Sequence, residues 1–457
     1  MIHCYKQNGY NIVIDVYSGS IHVVDDVAYD IIGMYENTPT DEIKRIIHDK
    51  YSDRGIDEDE IQKCIDDICA LKDSNQLFAE DIYKDKADVL RAKNNIVKAL
   101  CLHVAHTCNL NCTYCFASQG KYHGKDALMP FEVGKQALDF LIANSGSRTN
   151  LEVDFFGGEP LMNWDVVKQL VAYGREREKD SGKKFRFTLT TNGMLLDDEV
   201  TEFCNKEMQN VVLSLDGRKE VHDRLRKDYA GHGSYDKIVP KFQRFVQKRG
   251  DKNYYVRGTY THNNTDFTTD ILHMADLGFT ELSMEPVVCA PTDPYALTKD
   301  DLPTLFEQYE LLANEMLRRE REGRGFSFYH YMIDLAHGPC IYKRISGCGS
   351  GTEYLAVTPT GDFYPCHQFV GDPKYIMGNV RDGITNTAMR EKFLKCNVYS
   401  RPECADCWAK LYCSGGCAAN AYHATGDING VYEYGCELFK KRMECAIMMQ
   451  VDRAMNK

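Results

Sequence analysis

Apolar and polar positions alternate along the first 80 residues and then change period. NIVIDVYSGSIHVVD alternates on both sides of Ser18-Gly19-Ser20, the pattern of a β-hairpin. A short apolar stretch, VAYDIIGMY, follows. Thr40-Asp41-Glu42 opens a helix with acidic residues in its first turn. DEDEIQKCIDDICALKDSN gives another, with Ile and Cys at helical spacing. Residues 1–80 therefore read as one small unit. Residues 81–97 are charged without a clear stripe and read as a linker or bridging region.

From residue 98 the pattern changes again. Six apolar, β-branched runs follow one another: LCLHVAH (core 101–106), LEVDFFGG (151–158), RFTLTTNG (186–193), NVVLSLDG (210–217), YYVRGTYT (254–261) and ELSMEPVV (281–288). Helical stretches such as VGKQALDFLIANS and WDVVKQLVAYGRERE separate them. Repeated strand–helix alternation predicts parallel strands with crossover helices. Six units over 98–324 make an α/β fold, a partial (β/α)6 TIM-like barrel rather than the complete eight. Functional groups then belong at the C-terminal ends of the strands. The regular alternation stops at about 325. Residues 325–457 are rich in cysteine, glycine and turn residues, and CELFKKRMECAIMMQVDRAM closes the chain with a helix. The N-terminal hairpin with about three helices resembles a winged helix in outline.

At 457 residues the chain exceeds one compact core, so several domains are expected. No apolar run reaches the length of a membrane span, and the first residues lack the pattern of a secretory signal, so a cytoplasmic location and no membrane partner are expected. The formal net charge of −12 argues against nucleic acid as a partner. The acidity is uneven: residues 1–95 hold twenty Asp and Glu against eleven Lys and Arg. Solvated helix faces account for most of that excess.

Nineteen cysteines is many for a cytoplasmic protein, where disulfides are disfavoured. Eleven fall into two groups. Cys108, Cys112 and Cys115 stand in CNLNCTYC, just after the first long strand. Three close thiolates suit an iron–sulfur cube and leave its fourth iron open for chemistry. A zinc knuckle is the alternative, but structural zinc usually takes four closed ligands. The second group is Cys340, Cys348, Cys366, Cys404, Cys407, Cys413, Cys417 and Cys436; its x5 and x3 spacings disfavour zinc ribbons. Gly157-Gly158-Glu159-Pro160 follows the second strand, where two glycines let backbone approach a ligand and a carboxylate can accept from an ammonium group. Thr190, Thr191 and Asn192 end the third strand; Ser214 and Asp216 end the fourth. Arg226 offers a fork suited to a carboxylate.

CNLNCTYC with GGEP resembles the signature of the radical S-adenosylmethionine (radical SAM) superfamily. The resemblance implies that Cys108, Cys112 and Cys115 hold a 4Fe–4S cluster whose open iron binds S-adenosylmethionine, which reductive cleavage converts to a 5′-deoxyadenosyl radical. It implies that Glu159 holds the cofactor's amino group, that Ser214 and Arg226 meet its ribose and carboxylate, and that Tyr114 lies near its adenine. Cys348, Cys366, Cys404, Cys407, Cys413, Cys417 and Cys436, with TPTGDFYPCHQFVG, resemble the SPASM domain and imply two auxiliary 4Fe–4S clusters, three in all. By that resemblance Cys404, Cys407, Cys413 and Cys436 hold the outer one, and Cys348, Cys366 and Cys417 the inner one. Cys340 is either a fourth inner ligand or a spare thiol.

Over nearly its full length the chain resembles the SCIFF maturases, radical SAM/SPASM enzymes acting on a ribosomal peptide with six cysteines. That resemblance implies thioether formation between peptide cysteines and acceptor carbons. It also implies a precursor peptide bound through its leader by the N-terminal unit, an electron donor such as flavodoxin or ferredoxin, and an anaerobic host. The rival within the superfamily is an anaerobic sulfatase maturase, which has no obvious need for residues 1–80. A non-enzymatic iron–sulfur or zinc protein is the distant alternative.

Overall fold

The computed structural model describes residues 1–87, 96–336 and 338–456. Half of the expected linker, residues 88–95, lies outside the described residues.

The N-terminal unit is a three-stranded antiparallel meander followed by three helices. Strands β1 (Ile2–Gln7), β2 (Tyr10–Asp15) and β3 (Ile21–Val24) pair in that order. The expected hairpin is β2–β3; β1 is an additional strand, and the apolar stretch VAYDIIGMY lies mostly in helix α1 (Asp26–Met34). Helices α2 (Thr40–Lys50) and α3 (Glu58–Asp73) follow. Asp57 and Glu60 close a reciprocal capping box at the start of α3. The apolar stripes of these helices meet β2 in a core of their own, with Val13, Ile31, Ile43, Ile47, Ile61 and Ile65 at its centre.

The unit is docked on the C-terminal region. The His3 ring stacks on Trp408 at 4.0 Å, and His3 Nε2 lies 2.9 Å from Glu444 Oε1. Lys410, with its side chain 3% exposed, pairs with Asp81 at 3.2 Å and donates to the Tyr17 hydroxyl.

The second sheet begins with β4 (Ala99–His106), buried at all eight positions, with the two-residue β5 (Ala127–Leu128) beside it. Next come β6 (Asn150–Gly157), β7 (Lys184–Thr191), β8 (Met208–Ser214), β9 (Tyr255–Tyr260) and β10 (Glu281–Pro286). The six expected strands β4, β6, β7, β8, β9 and β10 lie side by side in sequence order and all parallel. Helices such as Phe131–Asn144, Trp164–Ser181 and Tyr235–Arg249 make the crossovers. Phe155, Phe187, Val211 and Val256 fill the middle of the core.

The sheet runs on at both edges. The short β11 (Ser327–Phe328) adds in parallel beyond β10. On the other side β12 (Tyr354–Val357) adds in parallel to β4. From there β13 (Asp362–Tyr364), β14 (Gly378–Asn379) and β15 (Gly383–Ile384) continue antiparallel. The cysteine-rich region is thus built onto the edge of the barrel sheet. The C-terminal helix Glu433–Met455 packs along the helix Leu302–Arg321. No helix among the described residues is long and apolar enough to cross a membrane.

Candidate functional site

The three-cysteine loop leaves the end of β4 and is clamped to the end of β6. Gly158 N–H donates to Ala105 O at 2.8 Å, and Glu159 N–H donates to Thr107 O at 2.9 Å. The two glycines are needed for this crossing. A Cβ on Gly158 would lie 2.1 Å from Thr107 O; one on Gly157, at φ +122°, would lie 2.3 Å from Ala105 O. Gly157 and Gly158 therefore bring backbone to the cysteine loop itself, a closer partner than the ligand the sequence alone suggests.

Glu159 is buried at the junction. Its Oε1 accepts from Leu161 N–H at 3.1 Å and from the Thr191 hydroxyl at 2.8 Å; its Oε2 accepts from Asn192 N–H at 2.8 Å. Burial raises its carboxyl to about 7, against the pull of those three donors. Cys108 Sγ faces two donors, Leu110 N–H at 3.4 Å and Asn192 Nδ2 at 3.6 Å. Burial lifts the Cys108 thiol to about 12 and the Cys112 thiol to about 11, and each also feels the charge of Cys115. Such thiols ionise when a cation joins them.

Across the loop, Asp216 gathers three donors. The Tyr114 hydroxyl donates to Oδ2 at 2.7 Å, Arg226 Nε donates to Oδ2 at 2.9 Å, and Thr259 N–H donates to Oδ1 at 3.0 Å. The guanidinium also lies 5.5 Å from the Tyr114 ring centre. Asp216 is thus committed to Arg226 and Tyr114, holding both side chains in place. Tyr114, Thr190, Ser214 and Arg226 line one cavity of about 440 Å³.

The cysteine-rich region and the C-terminal helix line the same cavity. Their lining residues include Cys413, Cys417 and Cys436. Seven of the eight C-terminal cysteines sort into two groups by the charges they feel. Burial raises Cys413 to about 12, and the charges of Cys436, Cys404 and Cys407 add to the rise. Burial likewise raises Cys366, with Cys417 and Cys348 adding. Cys340 is exposed at the start of the short helix Ile341–Ser346.

Among the described residues no three His, Cys, Asp or Glu side chains converge as ligands of a single ion. A cube gives each thiolate its own iron, so it does not require such convergence. The donor set of Cys108, Cys112 and Cys115, all thiols, with N–H groups aimed at Cys108 Sγ, fits a thiolate-held cluster. His103 and His106, upstream of the loop, belong to the strand interior. Their rings lie against Tyr122, and His103 Nδ1 is 3.1 Å from His106 Nε2.

Three charged residues and one histidine line or back the same cavity that motif reading passes over. Arg257 Nη2 on β9 is 3.9 Å from Glu285 Oε1 on β10. His330 Nε2 is 3.0 Å from the same oxygen, and Arg442 Nη1 is 3.0 Å from His330 Nδ1. Burial would raise the Glu285 carboxyl, but His330, Arg257 and Arg442 outweigh it and hold it well below the usual range. Charged residues at the C-terminal ends of barrel strands were the one available signal.

Residues 102–274 match the radical SAM superfamily, and residues 348–408 match SPASM, an iron–sulfur cluster-binding domain. An uncharacterized protein of Methanocaldococcus jannaschii is 32% identical over 287 residues, 63% of this chain and 90% of its own length. The chain belongs to the radical SAM superfamily. As a radical SAM protein with a SPASM domain, it implies 4Fe–4S clusters and S-adenosylmethionine. It is 22% identical over 374 residues to the radical SAM cyclopropyl synthase TigE of Paramaledivibacter caminithermalis, covering 75% of this chain and 72% of that one. It is 25% identical over 372 residues to a cysteine-type anaerobic sulfatase-maturating enzyme of Clostridium perfringens, covering 76% and 96%. Among solved radical SAM folds, native anSMEcpe with bound AdoMet and Cp18Cys peptide superposes with a TM-score of 0.64 at 22% identity, covering 79% of this chain and 100% of that one. Streptococcus suis SuiB bound to precursor peptide SuiA gives a TM-score of 0.54 at 17% identity, covering 92% and 95%.

Proposed function

We propose that the chain is a peptide maturase that closes thioether bonds between cysteine sulfurs and acceptor carbons of a ribosomally made, six-cysteine precursor. The observation that carries this reading is one cavity lined both by Tyr114, Ser214 and Arg226 and by Cys417 and Cys436. A substrate seated there touches both the three-cysteine side and the cysteine-rich domain. Cys108, Cys112 and Cys115 would hold the S-adenosylmethionine-binding cluster. Cys404, Cys407, Cys413 and Cys436 would hold one auxiliary cluster, and Cys348, Cys366 and Cys417 the other. When bound, the first cluster and S-adenosylmethionine supply a hydrogen-abstracting radical, and the auxiliary clusters supply an electron acceptor.

The chain's own residues do the rest. Glu159 offers Oε2 to an ammonium group, and Arg226, oriented by Asp216, turns its terminal nitrogens to a carboxylate. Thr190, Asn192 and Ser214 complete that rim with short polar groups. Closure of each thioether removes two hydrogens from the peptide: one hydrogen atom from the acceptor carbon, and one proton from the thiol with one electron leaving as the C–S bond forms.

The N-terminal unit would take the leader peptide. Among the described residues β3 pairs only with β2, so its outer edge is available for strand addition. The domain limits that fit this reading are 1–80, 81–97, 98–324 and 325–457. Support also comes from the likeness to Streptococcus suis SuiB, solved bound to its precursor peptide SuiA. The sulfatase-maturating relative favours a second reading, formylglycine formation, because 96% of it is matched. That match leaves about a quarter of this chain unaccounted for. Anaerobic reconstitution with a six-cysteine precursor, followed by mass spectrometry, tests the proposal: loss of two hydrogens per bridge is expected. S-adenosylmethionine cleavage with no change in peptide mass overturns it. Deleting residues 1–80 should abolish precursor binding; full binding without them favours the sulfatase-type reading.

A further inference from the structure

The charged array at the ends of β9 and β10 has a chemistry of its own. Arg257 is paired with Ser283, and Thr259 with Glu285, in the parallel ladder, so Arg257 and Glu285 are staggered across neighbouring strands. Both line the cavity, with side chains 50% and 27% exposed. Their separation of 3.9 Å leaves them close but not hydrogen-bonded to one another.

Glu285 is held from behind. A guanidinium can only donate, so Arg442 Nη1 gives its proton to His330 Nδ1 at 3.0 Å. The His330 proton then sits on Nε2, 3.0 Å from Glu285 Oε1. That contact pairs His330 with the carboxylate; Arg442 Nε is buried without a hydrogen-bond partner. Arg442 also lines the cavity. A buried donor without an acceptor, beside a fixed carboxylate and a half-exposed guanidinium, describes a site made for a ligand that both accepts and donates.

An acidic side chain placed there would meet Glu285, and a basic one would meet Arg257 and Arg442. A neutral peptide backbone meets neither penalty. In an extended segment the C=O and N–H of one residue point to the same side. One guanidinium and one carboxylate about 4 Å apart can take that pair. We infer that Arg257 and Glu285 form a clamp for one extended residue of the substrate's core peptide, Arg257 donating to its carbonyl and Glu285 accepting its N–H, with His330 and Arg442 as positioning residues for Glu285. This deepens the maturase reading and rests on it for the identity of the peptide. Arg257 is the ladder partner of Ser214 on β8, so the clamp sits beside Ser214 and selects which residue of the peptide is presented next to it.

The test uses the reconstituted, full-length protein and a labelled six-cysteine core peptide lacking its leader, with fluorescence anisotropy as the readout. Glu285→Gln and Arg257→Gln should each weaken binding about tenfold, the effect of one charge-assisted hydrogen bond. A set of peptides N-methylated one residue at a time should include one that binds wild type about tenfold more weakly and binds Glu285→Gln with no further loss. Unchanged binding in both variants, no single sensitive N–H, or no binding of the core peptide to wild type overturns the clamp. If the peptide binds and the variants weaken it, but no thioether forms in wild type, the clamp stands and the maturase reading falls. Iron content and circular dichroism equal to wild type exclude misfolding of the variants.

Discussion

The crossing of the cysteine loop over the end of β6 can be broken with one methyl group. Gly158→Ala places a Cβ 2.1 Å from Thr107 O, 2.6 Å from Thr107 C and 3.0 Å from Gly120 Cα. All three neighbours are backbone, so no side chain can rotate away. Relief requires the loop to lift, and the hydrogen bonds from Gly158 N–H to Ala105 O and from Glu159 N–H to Thr107 O go with it. Overpacking of this kind costs about 1–3 kcal/mol, and each buried hydrogen bond adds about 1 kcal/mol. The expected loss is roughly 3–5 kcal/mol. Gly33→Ala is the control. Gly33 is in α1, its Cβ would meet nothing within 4 Å, and Ala there should gain about 0.5–1 kcal/mol from helix propensity. Thermal denaturation of both variants measures stability, and iron and sulfide content after anaerobic reconstitution measures loop geometry. Gly158→Ala should melt lower and bind less iron, with Gly33→Ala at or above wild type. A Gly158→Ala protein with wild-type melting and full iron would refute the argument that these glycines serve the crossing.

Cys108→Ala should abolish S-adenosylmethionine cleavage while leaving the iron of the C-terminal cysteines in place; retained cleavage would overturn the role of the N-terminal trio. Glu159 makes the ligand-free protein pH-sensitive. Because its folded-state value is raised to about 7, the folded state binds the proton more tightly than the unfolded chain, and stability falls as pH rises from the ordinary carboxylate range to 7. Up to about 3 kcal/mol is at stake between those limits, and the melting temperature of Glu159→Gln should lack that component of the slope; parallel profiles would contradict the buried carboxyl. Lys410→Met leaves Asp81, the first residue after the N-terminal unit, without its cation and removes the hydrogen bond to Tyr17 of that unit. Removing one partner of such a pair costs about 3–5 kcal/mol, so proteolysis of residues 1–80 should accelerate, and an unchanged digestion rate would show that the pair does not hold the docking.

What could be read from the sequence followed from local pattern. The six parallel strands were legible because each is a short β-branched run set between helical stretches, and β4 is apolar enough to be buried at every position. The first strand was not. Its residues, IHCYKQ, mix polar and apolar types, and its burial comes from His3 on Trp408 and Tyr5 on Glu444 O, contacts more than 400 residues away in sequence. The same division holds at and around the candidate site. Cys108, Glu159, Asn192 and Arg226 belong to compact motifs, so their types and spacing announced them. Arg257, Glu285, His330 and Arg442 come from four elements spread over 185 positions, and each alone reads as a surface charge. Only the fold brings them to one wall.

The continuity of the sheet also bears on how the two cysteine regions can work together. β12 pairs residue for residue with β4, from Tyr354 with Ala99 to Val357 with Leu102. β4 ends in the loop of Cys108, and the hairpin that starts with β12 leads to Cys366. Between them lies one buried body that includes Cys101, Tyr122, Ala356 and Cys366, with Cys115 packed against it. A domain tethered by a loop could open and close, changing the gap across the cavity. A domain joined by a strand ladder and a shared core cannot do so without breaking both, because close-packed interiors transmit displacement rather than absorb it. The span between the two cysteine regions is therefore set by the ladder. On the proposed maturase reading, a leader seated on the open β3 edge of the docked N-terminal sheet would deliver the peptide to a cavity whose span is already fixed.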